Sequence, residues 1–243
     1  MHNGIVHSIE TFGALDGPGT RYVLFLKGCP LRCLYCHNPD TWTMEGGTSK
    51  DPQQIVEDVL RYKGFYSKGG VTISGGEPML QHDFVKELLT LLREKGIHTA
   101  LDSAGSIPLE QSQDLIDLAD MLLLDIKAPF PEVFEKITGR AIQNTLDTLE
   151  YCEKTSKRVW IRHVVIPGLT DSRENFEALG ELLKDVKCVE YVDLLPFHKL
   201  GEYKWQDLKL PYTLTDTPEP DSSVLESAVE ILASYGLKAR YNH

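Results

Sequence analysis

The sequence predicts an α/β fold built on a mostly parallel sheet, and three observations predict it. From Arg21 to Tyr241, short apolar or β-branched runs alternate with stripes at helical spacing. The runs end in turn formers or unusual polar residues, as expected where a parallel sheet collects its chemistry at the carboxyl ends of its strands. No linker, tandem repeat or low-complexity segment divides the chain, so residues 1–243 read as one domain, a length that α/β barrels often reach undivided. Six strand–helix units counted from Arg21 are too few for a closed eight-stranded barrel. An open, partial barrel is expected.

Taken in order, Ile5 to Ile9 reads as a short first strand. Thr11 to Thr20 reads as a loop, because Asp16-Gly17-Pro18-Gly19 holds too many turn formers to sit inside an element. Arg21 to Lys27 is a strand with a nearly continuous apolar centre, suited to burial on both faces. A cysteine-bearing run, Gly28 to Pro39, follows at once, and Asp40 to Ser49 is rich in turns. Asp51-Pro52 offers a helix start with Asp as N-cap and Pro in first position, backed by Ile55, Val59 and Leu60. Gly70 to Ser74 is a strand ending in Gly75-Gly76-Glu77-Pro78. Gln81 to Lys95 is a helix with Phe84, Val85, Leu88, Leu89 and Leu92 on one face, stopped by Gly96.

The alternation continues with a strand from Ile97 to Leu101, ending at Asp102, and a helix from Leu109 to Ala119. Met121 to Ile126 is a strand that delivers Asp125 and Lys127. A less regular stretch with Pro129 and Pro131 precedes a helix from Ala141 to Thr155. Arg158 to Ile166 is a strand, Arg173 to Leu183 a helix, and Val189 to Leu195 a strand leading to His198. Gly201 to Thr217 reads as a loop and Asp221 to Tyr235 as a last helix, followed by Leu237 to Tyr241.

Composition narrows the function classes. Apolar residues make up 42%, enough for a sizeable core, and the net charge of −11 argues against a nonspecific nucleic-acid binder, which needs surplus Lys and Arg. No apolar run approaches the ~18 residues of a membrane span. Met1-His2-Asn3-Gly4 lacks the basic and apolar regions of a signal peptide. Five cysteines, three of them in one loop, suit a reducing compartment. The cytoplasm is the expected location.

Those three, Cys29, Cys33 and Cys36, stand at C-x3-C-x2-C spacing directly after a buried strand. Closed zinc sites want four protein ligands, commonly two C-x2-C pairs, and Cys152 and Cys188 are isolated and remote. A four-iron cubane is usually held by four thiolates, so three leave one iron open to a small molecule. Buried structural cysteines or a zinc knuckle are the plainer alternatives.

The loop resembles the radical S-adenosylmethionine enzymes. That resemblance implies a partial (β/α)6 barrel, a [4Fe-4S] cluster on the three cysteines, and reductive cleavage of S-adenosylmethionine to a 5′-deoxyadenosyl radical. Gly75-Gly76-Glu77 resembles the family's GGE motif, which implies contact between Gly76 and Glu77 and the methionyl amino group. Tyr35, His37, Asp125, Ile126, Lys127 and His198 match further cofactor contacts. Asp102 and Asp125 match a pair holding a monovalent cation through oxygen ligands. The plainer readings are a tight turn for the glycines, a cap or ion pair for each Asp, and a solvated loop histidine.

Within that superfamily, Thr20-Arg21, Leu34 to Trp42, Val71 to Pro78, His98 to Gly105, Leu124 to Lys127, Val159 to Arg162 and Leu194 to His198 resemble the pyruvate formate-lyase-activating enzymes. The likeness covers essentially the whole chain. It implies that a monomeric enzyme abstracts hydrogen from one backbone glycine of pyruvate formate-lyase, with Asp16, Gly17 and Arg162 facing that partner. It also implies a low-potential electron donor such as flavodoxin. Two rivals are an activase of another glycyl-radical enzyme and a non-catalytic iron–sulfur carrier. The ferredoxin-like insert of many other activases is missing, since no cysteine lies between Cys36 and Cys152.

Overall fold

The computed structural model describes residues 2–66 and 68–241; Met1, and with it the start of the expected leader-free terminus, lies outside them. Among the described residues there is one nine-stranded sheet. Its strands are β1 (Gly4–Gly13), β2 (Arg21–Leu26), β3 (Thr48–Lys50), β4 (Gly70–Gly75), β5 (Thr99–Ser103), β6 (Met121–Asp125), β7 (Arg158–Val165), β8 (Val189–Pro196) and β9 (Ala239–Tyr241). They lie in the order β3-β1-β2-β4-β5-β6-β7-β8-β9. From β2 to β9 all pairings are parallel, while β1 runs antiparallel to β2 and β3 antiparallel to β1. The six strands expected from Arg21 onward are β2 and β4 to β8. The sheet is open, with β3 and β9 as its edges.

Helices follow the strands as crossovers: α1 (Pro52–Arg61), α2 (His82–Glu94), α3 (Gln113–Leu118), α4 (Pro131–Thr138), α5 (Gln143–Thr155), α6 (Arg173–Leu183), α7 (Glu202–Asp207) and α8 (Ser222–Ser234). Asp51 caps α1 by accepting from the Gln53 amide, with Pro52 in first position. The buried stripe of α1 is Ile55, Val56 and Val59, and Leu60 is exposed. All five apolar residues expected on α2 are buried.

Period-two alternation divides the strands between two faces. Tyr22, Leu24, Val71, Ile73, Leu101, Leu122, Leu124, Val159, Ile161, Val192 and Leu194 join α1, α2, α5, α6 and α8 in the main core. The alternate residues point to the inner face. Near the amino ends of the strands these are Ala100, Met121, Leu123, Trp160 and Tyr191, a second apolar cluster. Towards the carboxyl ends they become Ser74, Asp102, Asp125 and Arg162, which line a cavity.

Several boundaries differ from expectation. β1 continues to Gly13 instead of yielding to a loop at Thr11, because its pairing with β2 reaches Gly13 opposite Arg21. That antiparallel strand delivers residues 14–20 to the amino end of the sheet. They then fold into the inner face, where Thr72 Oγ1 donates to the Asp16 carbonyl at 2.6 Å and Arg21 Nη1 to the Pro18 carbonyl at 3.1 Å. The stretch after Pro129 contains α4, with Pro131 in first position and Gly139 closing it at φ 72°. The segment from Gly201 to Thr217 contains α7, a single buried residue, Trp205, on six. The helix expected from Leu109 is a 3-10 turn followed by α3.

Candidate active site

A cavity of about 840 Å³ opens at the carboxyl ends of the parallel strands. The loop after β2 forms one wall. It is pinned by backbone: the Gly28 amide donates to the Thr41 carbonyl at 2.6 Å, Arg32 to Thr138 at 2.8 Å and Leu34 to Ile137 at 3.0 Å. Cys29, Cys33 and Cys36 all line the cavity and none is in a disulfide. Burial pushes the Cys29 and Cys33 thiols up to about 12, so each must give up a proton to a metal centre. Among the described residues, no three His, Cys, Asp or Glu side chains close on a single-ion site. Cys152 and Cys188 lie elsewhere, Cys152 buried in the main core.

Gly75 and Gly76 bring β4 against the cysteine loop. Gly75 has φ 115°, and a Cβ on Gly76 would sit 2.3 Å from the Gly28 carbonyl oxygen, a contact only glycine allows. Both glycines line the cavity, whereas Glu77 does not. Its carboxylate, 1% exposed, accepts from Ser103 Oγ at 2.7 Å and Ser106 Oγ at 3.0 Å, and from the Ala104 and Met79 amides at 3.3 Å. Glu77 thus ties the end of β5 to the turn after β4. Burial raises its pKa against the pull of those four donors.

Two ion pairs stand on the inner face. Asp102 Oδ2 accepts from Ser74 Oγ at 2.7 Å and from Arg162 Nη1 at 2.9 Å. Asp125 accepts from Lys127 Nζ at 2.6 Å. Burial works against the charges on Arg162 and Lys127, but Asp102 and Asp125 override it and hold both cations charged. Asp16 reaches the cavity from below, its pKa raised by burial and then by Asp102. Gly17 is not in the lining; a Cβ there would sit 3.1 Å from Arg21 Cδ. Ile126 is fully buried outside the cavity, and its carbonyl accepts from His163 Nδ1 at 2.7 Å.

Tyr35 and the two histidines complete the wall. The Lys127 ammonium lies 5.7 Å from the Tyr35 ring centroid. His37 and His198 stack with centroids 4.1 Å apart, and His37 Nε2 donates to the His198 carbonyl at 3.1 Å. Burial, then the neighbouring His198, lowers the His37 pKa and favours the neutral ring. Sequence reasoning overlooked Trp42, Phe197 and Glu219, which also line the cavity, and Trp205 behind it. The chain between Cys36 and Trp205 offers no pattern that would have joined them.

Six buried side-chain polar atoms lack a protein partner among the described residues, and four belong to residues that line this cavity: Tyr35 Oη, Asp102 Oδ1, Arg162 Nε and His198 Nδ1. Buried polar atoms without partners are costly, so a cluster of four on one cavity marks a surface shaped for a polar ligand. With three thiols on the same wall, the donor set suits an iron–sulfur cluster and an amino-acid-bearing cofactor beside it.

A family model described as the Radical SAM superfamily matches residues 23–180. The chain is 41% identical to the pyruvate formate-lyase-activating enzyme of Listeria monocytogenes serovar 1/2a, over 97% of this chain and 98% of that one. It is 44% identical to the enzyme of that name from Clostridium pasteurianum, over 91% and 93%. Identity is 37% to the pyruvate formate-lyase 1-activating enzyme of Escherichia coli K12, over 98% of both. Among solved structures, a domain of pyruvate-formate lyase-activating enzyme from Bacteroides vulgatus superposes with TM-score 0.62 at 25% identity, over 72% of this chain and 99% of that one. Streptococcus suis SuiB bound to precursor peptide SuiA shares the fold, with TM-score 0.72 at 16% identity over 97% and 50%.

Proposed function

The chain belongs to the radical SAM superfamily, and from that premise we propose that it activates pyruvate formate-lyase by drawing a hydrogen atom from one backbone glycine of that enzyme. The observation that carries the reading is the meeting of three free cysteines with the Asp102–Arg162 and Asp125–Lys127 pairs on one cavity, in a chain 37–44% identical to activases across nearly its whole length. The nine strands form one sheet, which supports a single domain over residues 1–243.

Cys29, Cys33 and Cys36 would hold the [4Fe-4S] cluster. When bound, the cluster and S-adenosylmethionine together supply the one-electron chemistry that removes a hydrogen atom. Lys127 is kept charged by Asp125 and is positioned for a carboxylate, and Asp125 for an ammonium group. His198 Nδ1 and Tyr35 Oη offer hydrogen bonds deeper in the cavity. Gly75 and Gly76 line the cavity without side chains, while the Gly76 and Glu77 amides already donate to the Leu26 and Gly28 carbonyls at 2.8 Å. Of the oxygens expected to hold a monovalent cation, Asp102 Oδ1 is buried without a partner, while the Asp125 carboxylate is matched by Lys127. A cation here would rest chiefly on Asp102.

Arg162 and Asp16 line the cavity, Asp16 from the amino end of the sheet, so of the residues expected to face the partner these two reach the space a partner segment would occupy. Glu77 acts through the β5 end rather than on the cofactor, and Gly17 and Ile126 act through backbone. Among the described residues no helix is long and apolar enough to cross a membrane. A cytoplasmic monomer reduced by flavodoxin or a similar donor fits this reading.

The deciding experiment mixes the reduced, reconstituted protein with S-adenosylmethionine and anaerobic pyruvate formate-lyase, then seeks a glycyl radical by electron paramagnetic resonance. A radical that disappears with oxygen supports the proposal. Release of 5′-deoxyadenosine without a radical, together with activation of a different glycyl-radical enzyme, would move the choice of partner. No cleavage at all would leave only an electron carrier.

A further inference from the structure

The wall that carries the cysteines has a second side. Cys29, Leu31 and Trp42 line the cavity, whereas Arg32, Met44, Leu80 and Arg140 are exposed and lie outside its lining. These four meet along one short stretch of backbone. Arg32 Nη1 donates to the Cys29 and Leu31 carbonyls at 2.8 and 2.7 Å, and Arg140 Nε donates to the Pro30 carbonyl between them at 3.4 Å. The Arg32 guanidinium lies 4.9 Å from the Trp42 ring centroid. A Cβ on Gly28 would sit 2.5 Å from Met44 Sδ and 2.7 Å from Leu80 Cδ2, so both side chains cover the residue before Cys29.

The outer face of residues 28–32 thus carries two apolar side chains flanked by two guanidinium groups. Among the described residues, Arg32 and Arg140 donate from their side chains to these carbonyls and to no carboxylate. Glu45, beside Met44, is the one acid next in sequence to any member of the patch. The chain as a whole carries −11, so unneutralised positive charge held here stands against the general field. The wall behind it is stiff. Trp205 on α7 grips it by donating its indole N–H to the Cys36 carbonyl at 2.8 Å, with its ring edge-on to Trp42 at 5.1 Å.

Arginine and methionine are enriched in protein interfaces, and a patch this small suits the brief encounters of redox partners. We propose that this outer face is the docking surface for an acidic one-electron donor protein. Arg32 and Arg140 pair with its carboxylates, while Met44 and Leu80 pack against a small apolar area between them. Two acidic proteins repel at long range, and opposite charges attract only within about 8 Å at physiological ionic strength, so a local patch fixes where they meet. One electron passes through the wall to the cluster and leaves the donor oxidised by one electron; no bond in this protein forms or breaks. The inference rests on the cluster assigned above to Cys29, Cys33 and Cys36 and on the donor named with it.

The test titrates an acidic flavodoxin into the reconstituted protein by calorimetry at low and physiological salt, beside iron content. Cluster reduction is timed with reduced flavodoxin and with a photoreduced deazaflavin, which needs no docking. Arg32→Glu with Arg140→Glu is compared with Arg93→Glu with Lys95→Glu, the same change of charge at the exposed carboxyl end of α2. Wild-type affinity should fall with added salt. The Arg32 and Arg140 variant should bind at least about tenfold more weakly and accept electrons slowly from flavodoxin alone, while the α2 variant behaves as wild type. Full iron with unchanged affinity in the first variant overturns the proposal, as does an equal loss in the second or a wild-type affinity indifferent to salt. Loss of pyruvate formate-lyase binding with flavodoxin binding intact gives the surface to the other partner and equally overturns it. Should the first variant lose its iron, Met44→Glu with Leu80→Glu, whose side chains do not hold the loop, is judged by the same outcomes. Wild-type protein that binds flavodoxin yet takes up no cluster would instead overturn the assignment of the cysteines.

Discussion

Glu77→Ala should destabilise the protein even without cluster or cofactor, because the carboxylate is a tie between β4 and β5. The substitution removes hydrogen bonds from Ser103 Oγ and Ser106 Oγ at 2.7 and 3.0 Å, and leaves the Ala104 and Met79 amides unpaired in a site 1% exposed. Bonds to a charged acceptor are worth ~1.5–3 kcal/mol each, so the two serines alone suggest ~3–6 kcal/mol. Burial offsets part of this by disfavouring the charge, as the raised pKa shows. A net loss of about 3 kcal/mol is expected, or ~6–12 °C in Tm for a chain of this size. Glu77→Gln keeps one acceptor and turns an NH2 group towards existing donors, so it should lose about 1 kcal/mol. Thermal melts of the metal-free proteins at neutral pH check both. An unchanged Tm in Glu77→Ala would refute the tie, and stable variants that fail only to bind S-adenosylmethionine would return Glu77 to direct cofactor contact.

Other outcomes follow from the same geometry. Cys33→Ala should hold no stable four-iron cluster, whereas Cys152→Ala with Cys188→Ala should keep full iron content; iron analysis separates them. Lys127→Ala should retain the cluster but weaken S-adenosylmethionine binding by on the order of 2–5 kcal/mol, read by calorimetric titration, since it leaves Asp125 buried without its partner. The metal-free protein should lose stability as pH rises from 9 towards 12. Folded Cys29 and Cys33 stay protonated up to about 12, while the unfolded thiols ionise near 9, so their contribution is full below pH 9 and fades above it. Melts of Cys29→Ser with Cys33→Ser should show a smaller loss across that range.

Much of the fold was legible because its signals are local. Val71-Thr72-Ile73-Ser74 and Leu122-Leu123-Leu124 are buried on both faces, so unbroken apolar or β-branched character marks them as parallel strands. α7 was illegible for the opposite reason: Glu-Tyr-Lys-Trp-Gln-Asp buries one side chain and has no apolar stripe to betray a helix. α4 hid behind its prolines, though Pro131 in first position favours a helix. The cysteines declared their chemistry by spacing within one loop. The duty of Glu77 depends on Ser103 and Ser106, which only the fold brings near, and the grip on Cys36 comes from 169 residues away. Asp16 and Gly17 were expected to face the partner because nothing in their composition records that β1 runs antiparallel and carries them to the amino end of the sheet.

The sheet's open form carries a hazard that a closed barrel avoids, since every open sheet ends in unpaired amide and carbonyl groups that can recruit a strand from another molecule. Among the described residues both edges are three residues long, Thr48–Lys50 on β3 and Ala239–Tyr241 on β9. β3 exposes Thr48 and Ser49 and carries a lysine, while Arg240 on β9 is drawn against Asp193 and the rings of Trp160 and Tyr191. β3 covers β1 only from Gly4 to Val6, and the uncovered remainder of β1 is broken by two register shifts against β2, irregularities that blunt an edge. The barrel can therefore stay unclosed for a large guest without inviting its own copies to zip onto it.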